Sequence, residues 1–93
     1  MYETREQAFE GIQIETKAVI RYSKATQKAA REGRQGHAWA MADIAKMALQ
    51  CMRQAHEELW EFCKGQPTPE EMEKLVEAEE AEQTFKKSVA SLG

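Results

Sequence analysis

Residues 37–64 read HAWAMADIAKMALQCMRQAHEELWEFCK, and this stretch decides the fold. Ala38, Met41, Ala45, Ala48, Met52, Ala55, Leu59 and Phe62 recur in alternating steps of three and four. That alternation is the seam of a helix packed along a second helix. Four of the eight seam residues are Ala, so the neighbour comes close. Ile44, Leu49 and Cys51 widen the apolar face. Gly65 supplies a left-handed stop and Pro67 forbids continuation, so the spacing predicts a helix over about 37–64.

A helix of similar length precedes it. Thr4-Arg-Glu-Gln7 is a capping box: Thr4 accepts from the Gln7 amide and Gln7 reaches back. Ala8, Ile12, Val19, Tyr22 and Ala29 form the apolar stripe, and Gly33 closes the helix, which spans about 4–32. Gly11 lies inside it at a cost of roughly 1 kcal/mol relative to Ala. Either that cost is tolerated, or another helix approaches there. A third helix begins at Thr68-Pro-Glu-Glu71, a second capping box with Pro at the first helical position, and runs over about 69–91. Its stripe is Met72, Leu75, Ala78, Phe85, Val89 and Leu92, interrupted by Glu82.

Few β-branched residues are present, and they are scattered, which argues against a sheet. The expectation is an all-α chain: a single helical domain over residues 1–93, an elongated three-helix bundle built on a long antiparallel hairpin. The Ala-rich seam and the interrupted third stripe leave apolar surface to cover. Self-association into a homo-oligomer follows, with two paired hairpins making a four-helix core.

The 93 residues are 42% hydrophobic and 31% charged, with net charge −3. Charge is uneven: residues 14–34 carry six basic and two acidic groups, whereas residues 67–93 carry three Lys and seven Glu. No apolar run is long enough to span a membrane. The first residues lack the layout of a secretory signal, which predicts a cytoplasmic location. Cys51 and Cys63 are twelve residues apart on one helix, about 18 Å, too far to bridge each other. Two reduced, packed thiols are expected.

The pattern that carries function lies on the first helix. Lys17, Arg21, Lys24, Lys28 and Arg31 are spaced 4, 3, 4 and 3, which puts all five on one face. That face is opposite the apolar stripe and away from the side expected to receive the third helix. Over about 21 Å it suits an acidic protein surface or a run of phosphates. No aromatic residue interleaves with these cations, so nucleic acid would be held by its backbone without base stacking or sequence readout. A second candidate surface is one edge of the second helix, where Trp39, Lys46, Arg53 and Trp60 follow a seven-residue step. Trp and Arg dominate interface energetics. Each Trp either packs beneath a neighbour or stands exposed on this edge.

Catalysis and metal binding find little support. Cys63 and His56 are about 10 Å apart along the helix, too far for thiol activation. No Gly-rich phosphate loop or metal-ligand cysteine spacing occurs, so no cofactor, metal or catalytic residue is expected. Glu15 is inward on the first helix, level with Arg53 and near His56, and an ion pair or hydrogen bond with one of them is expected. Glu57-Glu58-x-x-Glu61 resembles the first half of the motif of helical nucleotide pyrophosphohydrolases. The second half should be ExxD, and the nearest match, Glu77-x-x-Glu80, lacks the Asp. In size and architecture the chain is also similar to small helical subunits of RNA-guided complexes.

The first expectation is therefore a non-enzymatic interaction module, an adaptor, inhibitor or accessory subunit that contacts an anionic partner through the basic helix face. A small subunit of a nucleoprotein complex is second. A helical metal-dependent hydrolase is third.

Overall fold

The computed structural model describes residues 1–92, and among them there are three helices and no strand: α1 (Arg5–Arg31), α2 (Gln35–Cys63) and α3 (Pro69–Ala90). Local chemistry sets their ends. The Thr4 hydroxyl accepts from the Gln7 amide, while the Gln7 side chain accepts from the amide of Glu3, one residue before the expected Thr4. At Thr68 and Glu71 both halves of the capping box are present, at 3.2 and 2.8 Å. α2 starts two residues earlier than expected, at Gln35, and its N-cap residue Arg34 makes no side-chain cap bond. Gly33 and Gly65 have φ of +74° and +73°, and Lys64 joins the left-handed region at +54°.

α1 and α2 run antiparallel. The Tyr2 amide donates to Glu58 at 2.7 Å, tying the start of one to the end of the other. α3 returns parallel to α1, from Arg5–Glu71 at one end to the Leu92–Ala29 region at the other, and packs mainly on α1. The molecule measures 45 × 21 × 15 Å.

The seam of residues 38–62 is largely buried: Ala38, Ala45, Ala48, Met52, Ala55 and Leu59 are in the core, and Met41 and Phe62 are partly covered. Two features were not legible from apolar spacing. Toward the hairpin turn the core is built of small residues. Ser23, Thr26 and Ser88 are fully buried beside Ala29, Ala38 and Ala42, whereas Tyr22 is only partly buried. The Thr26 and Ser88 hydroxyls donate to the carbonyls of Tyr22 and Phe85, which satisfies them within their own helices. Gly11 is covered by the Tyr2 ring rather than by a helix; a Cβ there would run into the phenol. In α3, Met72 and Val89 are exposed and their places in the core go to Ala81 and Ser88. Glu82, the interruption in the stripe, is half-buried and bound to Arg53.

Glu71 is the polar centre of the open end. Its buried carboxylate accepts from the Arg5 guanidinium at 2.5 and 2.6 Å, from the Thr68 amide at 2.8 Å and from the Cys63 thiol at 3.4 Å. Arg5 above all, against the opposing effect of burial, holds its pKa down at about 2. A carboxylate depressed in the folded state contributes stability above its unfolded pKa, and that contribution fades as pH falls toward the folded value. The melting temperature is therefore expected to drop as pH falls from about 4.5 to 2. Glu71→Gln should be less stable at neutral pH by roughly 2 kcal/mol and show a shallower acid decline, read by circular dichroism melts.

Thr16 Oγ1 and Ser23 Oγ are buried with no hydrogen-bond partner among the described residues. Ser23→Ala removes an unsatisfied hydroxyl and improves helix propensity, so a gain of roughly 1 kcal/mol is expected, seen as a higher melting temperature. A lower one would show that the hydroxyl is satisfied in solution.

Candidate functional site

Helical spacing sets the outer face of α1, and the fold leaves it open. Lys17, Arg21, Lys24, Lys28 and Arg31 are all exposed, and among the described residues none of them forms an ion pair. The Arg21 guanidinium lies 5.8 Å from the centre of the Tyr22 ring, which steadies it. The surroundings differ from expectation on one side. α3 lies beside the stripe rather than away from it. Lys17 and Lys24 border a groove of about 470 Å³ between α1 and α3, across from Lys74, Glu77 and Glu80. This happens because α3 packs on the Thr16–Ile20 shoulder of α1, the buried Thr16 being a core position that apolar spacing does not reveal. The cations thus have an acidic flank on one edge and open solvent on the other.

The edge of α2 is exposed as well. Trp39 keeps 53% of its surface and Trp60 43%, so neither is packed beneath a helix. Between them Lys46 is exposed, and Arg53 donates through Nε to Glu82 Oε1 at 2.9 Å. Trp39, Leu49, Phe85, Val89 and Leu92 wall a hollow of about 360 Å³ between α2 and α3, with Lys46 and Arg53 on its rim. The α1 stripe borders one side of α3 and the α2 edge borders the other. The fold therefore brings the nine residues together as two surfaces, not one.

The remaining polar groups separate. Glu15 does not meet Arg53 or His56. It sits beside Cys51 on the opposite side of the hairpin, where partial burial first and Glu15 second push the thiol pKa up. His56 lines a small hollow with Met52, Arg53, Ala78, Glu79 and Glu82. Glu57, Glu58 and Glu61 line a cleft by Tyr2, while Glu77 and Glu80 face the α1–α3 groove, so the two halves of the acidic motif do not converge. No group of three or more metal-ligating side chains comes together among the described residues. Cys63 is buried, and burial together with the Glu71 carboxylate raises its pKa; Cys51 is exposed, contrary to the expectation of two packed thiols. Both shifts favour the unreactive thiol.

A further exposed feature is apolar rather than charged or aromatic. Ile14 and Met47 are 57% and 60% exposed, on the hairpin face that α3 does not touch. They belong to a second apolar register: Ile14, Ala18 and Tyr22 step by four, and Ile44, Met47 and Cys51 step by three and four. This signal is in the sequence, but it is hidden beside the stronger Ala seam.

Compared with known protein families, curated proteins and solved structures, the chain matches none. No helix among the described residues is long and apolar enough to cross a membrane. The exposure of the two tryptophans can be checked directly. Both should be readily quenched by acrylamide and emit as water-exposed indoles, with Trp39→Phe isolating Trp60. A blue-shifted, protected emission would place them beneath a partner.

Proposed function

We propose that this chain is a non-enzymatic interaction module, an adaptor, inhibitor or accessory subunit, that docks the outer face of α1 on an acidic protein surface. The observation that carries this reading is the row of five exposed cations without intrachain ion pairs. Ammonium and guanidinium groups with no intrachain partner are free to meet the carboxylates of another surface, with an attraction that salt screens. The Trp39–Trp60 edge is a second contact surface, with aromatic faces for packing and Lys46 for charge. Two free cysteines fit a reducing, cytoplasmic setting, and the chain is expected to act as a homo-oligomer.

A second reading is a subunit of a nucleoprotein complex. The row covers about 21 Å and matches the scale of several phosphates. The geometry of the flank favours the protein partner: Glu80, and Glu77 in its 3.2 Å pair with Lys74, border the row on one side only, so a stiff duplex laid along Lys17 and Lys24 is held against them, whereas a flexible acidic segment can follow the open edge.

Fluorescence anisotropy distinguishes the two, with a labelled poly-glutamate peptide and a short labelled DNA duplex at low and moderate salt. The peptide is expected to bind in a salt-dependent way and more tightly than the duplex. Lys24→Glu with Lys28→Glu should weaken it roughly tenfold while leaving helicity unchanged. Tighter duplex binding would make the stripe a phosphate track. Peptide binding that survives the double reversal would remove the stripe from function.

A further inference from the structure

The hairpin is electrically polarised along its length, and its uncovered face is apolar at the middle. Residues 17–49, the half around the turn, carry seven basic and two acidic groups. Residues 1–16 and 50–64, the open half, carry seven acidic and three basic groups. Of those three, Arg5 and Arg53 are occupied by Glu71 and Glu82 of α3, which leaves Lys64. Between the charged ends Ile14, Ala18 and Tyr22 of α1 lie level with Ile44, Met47 and Cys51 of α2; the Glu15–Cys51 contact fixes this register. α3 covers the other side of the hairpin, along Thr16, Ile20, Leu49 and Arg53.

We propose that this face receives a second copy of the chain, packed antiparallel, so that α1 lies on α1 and α2 on α2 of the partner. Three arguments converge on that occupant. The first is charge. An antiparallel pair sets Glu10, Glu57 and Glu61 of each copy level with Lys28 and Arg34 of the other, at both ends at once, whereas a parallel pair opposes like charges. The second is area. Two helices about 40 Å long and 10–12 Å wide present about 800 Å² per copy, the size of a standard interface. The third is surface left over. The accessible surface of 5994 Å² exceeds the roughly 5,500 Å² of a compact monomer of this mass. Ile14 and Met47 supply apolar anchors, and Ala18 lets the backbones approach. The two-fold axis passes near Met47. This deepens the self-association proposed above; Arg21 and Lys28 stand seven and fourteen residues from Ile14 and border the paired face, whereas Lys17 and Lys24 lie on the far side, by the α3 groove, and stay free for the acidic partner.

Sedimentation velocity of the full chain tests it. A dimer is expected with a micromolar or tighter Kd. Ile14→Glu with Met47→Glu, both at exposed positions, should give a monomer of unchanged helicity that still binds the poly-glutamate peptide. In a Cys51→Ser background, Met47→Cys should cross-link into dimers on oxidation, and Glu79→Cys on α3 should not. Orientation is read from charge: Glu57→Lys with Glu61→Lys should weaken the dimer about tenfold, and adding Lys28→Glu and Arg34→Glu should restore it. A monomer at concentrations about a hundredfold above that Kd, a dimer that survives the Ile14/Met47 variant, or a dimer strengthened by Glu57→Lys and Glu61→Lys would overturn the proposal. Loss of peptide binding with the dimer intact would overturn the stripe alone.

Discussion

The Glu71 carboxylate fixes where the third helix can go. It is buried, so its charge must be answered on several sides, and three separate segments answer it: Arg5 at the start of α1, Cys63 at the end of α2 and Thr68 in the connecting turn. A buried carboxylate deprived of one partner is costly, which makes the arrangement strongly selective among alternative packings. Because Arg5 is the first residue of α1, α3 is forced to begin level with the start of α1 and to run parallel to it. Every later placement follows, including the acidic flank of Glu77 and Glu80 beside the basic stripe.

Small residues then set the spacing. Ala38, Ala42 and Ala45 on α2 and Ser23, Thr26 and Ala29 on α1 leave little side-chain volume between the helix axes near the turn. Larger residues, Ile12, Met52, Leu59 and Leu75, fill the open half, where Glu71 also sits. The narrow end is therefore held by close backbone approach and the wide end by apolar volume and a polar clamp. Functional groups are distributed accordingly. The cations gather around the narrow end, where a small core leaves surface positions free to be long and charged.

Much of this was legible in the sequence. The seam from Ala38 to Phe62, the caps at Thr4 and Thr68 and the glycine stops at 33 and 65 gave three helices with ends correct to within a few residues. The five cations could be placed on one outer face because helical spacing fixes direction regardless of tertiary context. What failed was any inference that depended on which side α3 takes. Apolar spacing does not register Thr16, Ser23 or Ser88 as core, so the shoulder of α1 that receives α3 was invisible, and Glu15 was assigned to the wrong side of the hairpin. The Arg5–Glu71 pair joins residues 66 apart in sequence and leaves no local trace. Exposure of Trp39 and Trp60 likewise depends on how sparsely α3 meets α2, a tertiary property.

That sparse contact has a consequence for how the chain assembles. α1 and α2 meet through a short turn and a continuous seam, so loop closure costs little and the hairpin can form early. α3 docks against α1 only after the whole of α2 has been traversed, and it contributes the fewest buried large side chains. Local opening free energies follow such contacts. Hydrogen exchange should divide the molecule unevenly: slow amides through the facing halves of α1 and α2, faster ones in α3. The bundle is thus a two-helix unit with a detachable third member, and it is the two-helix unit that carries both the cationic row and the uncovered apolar face.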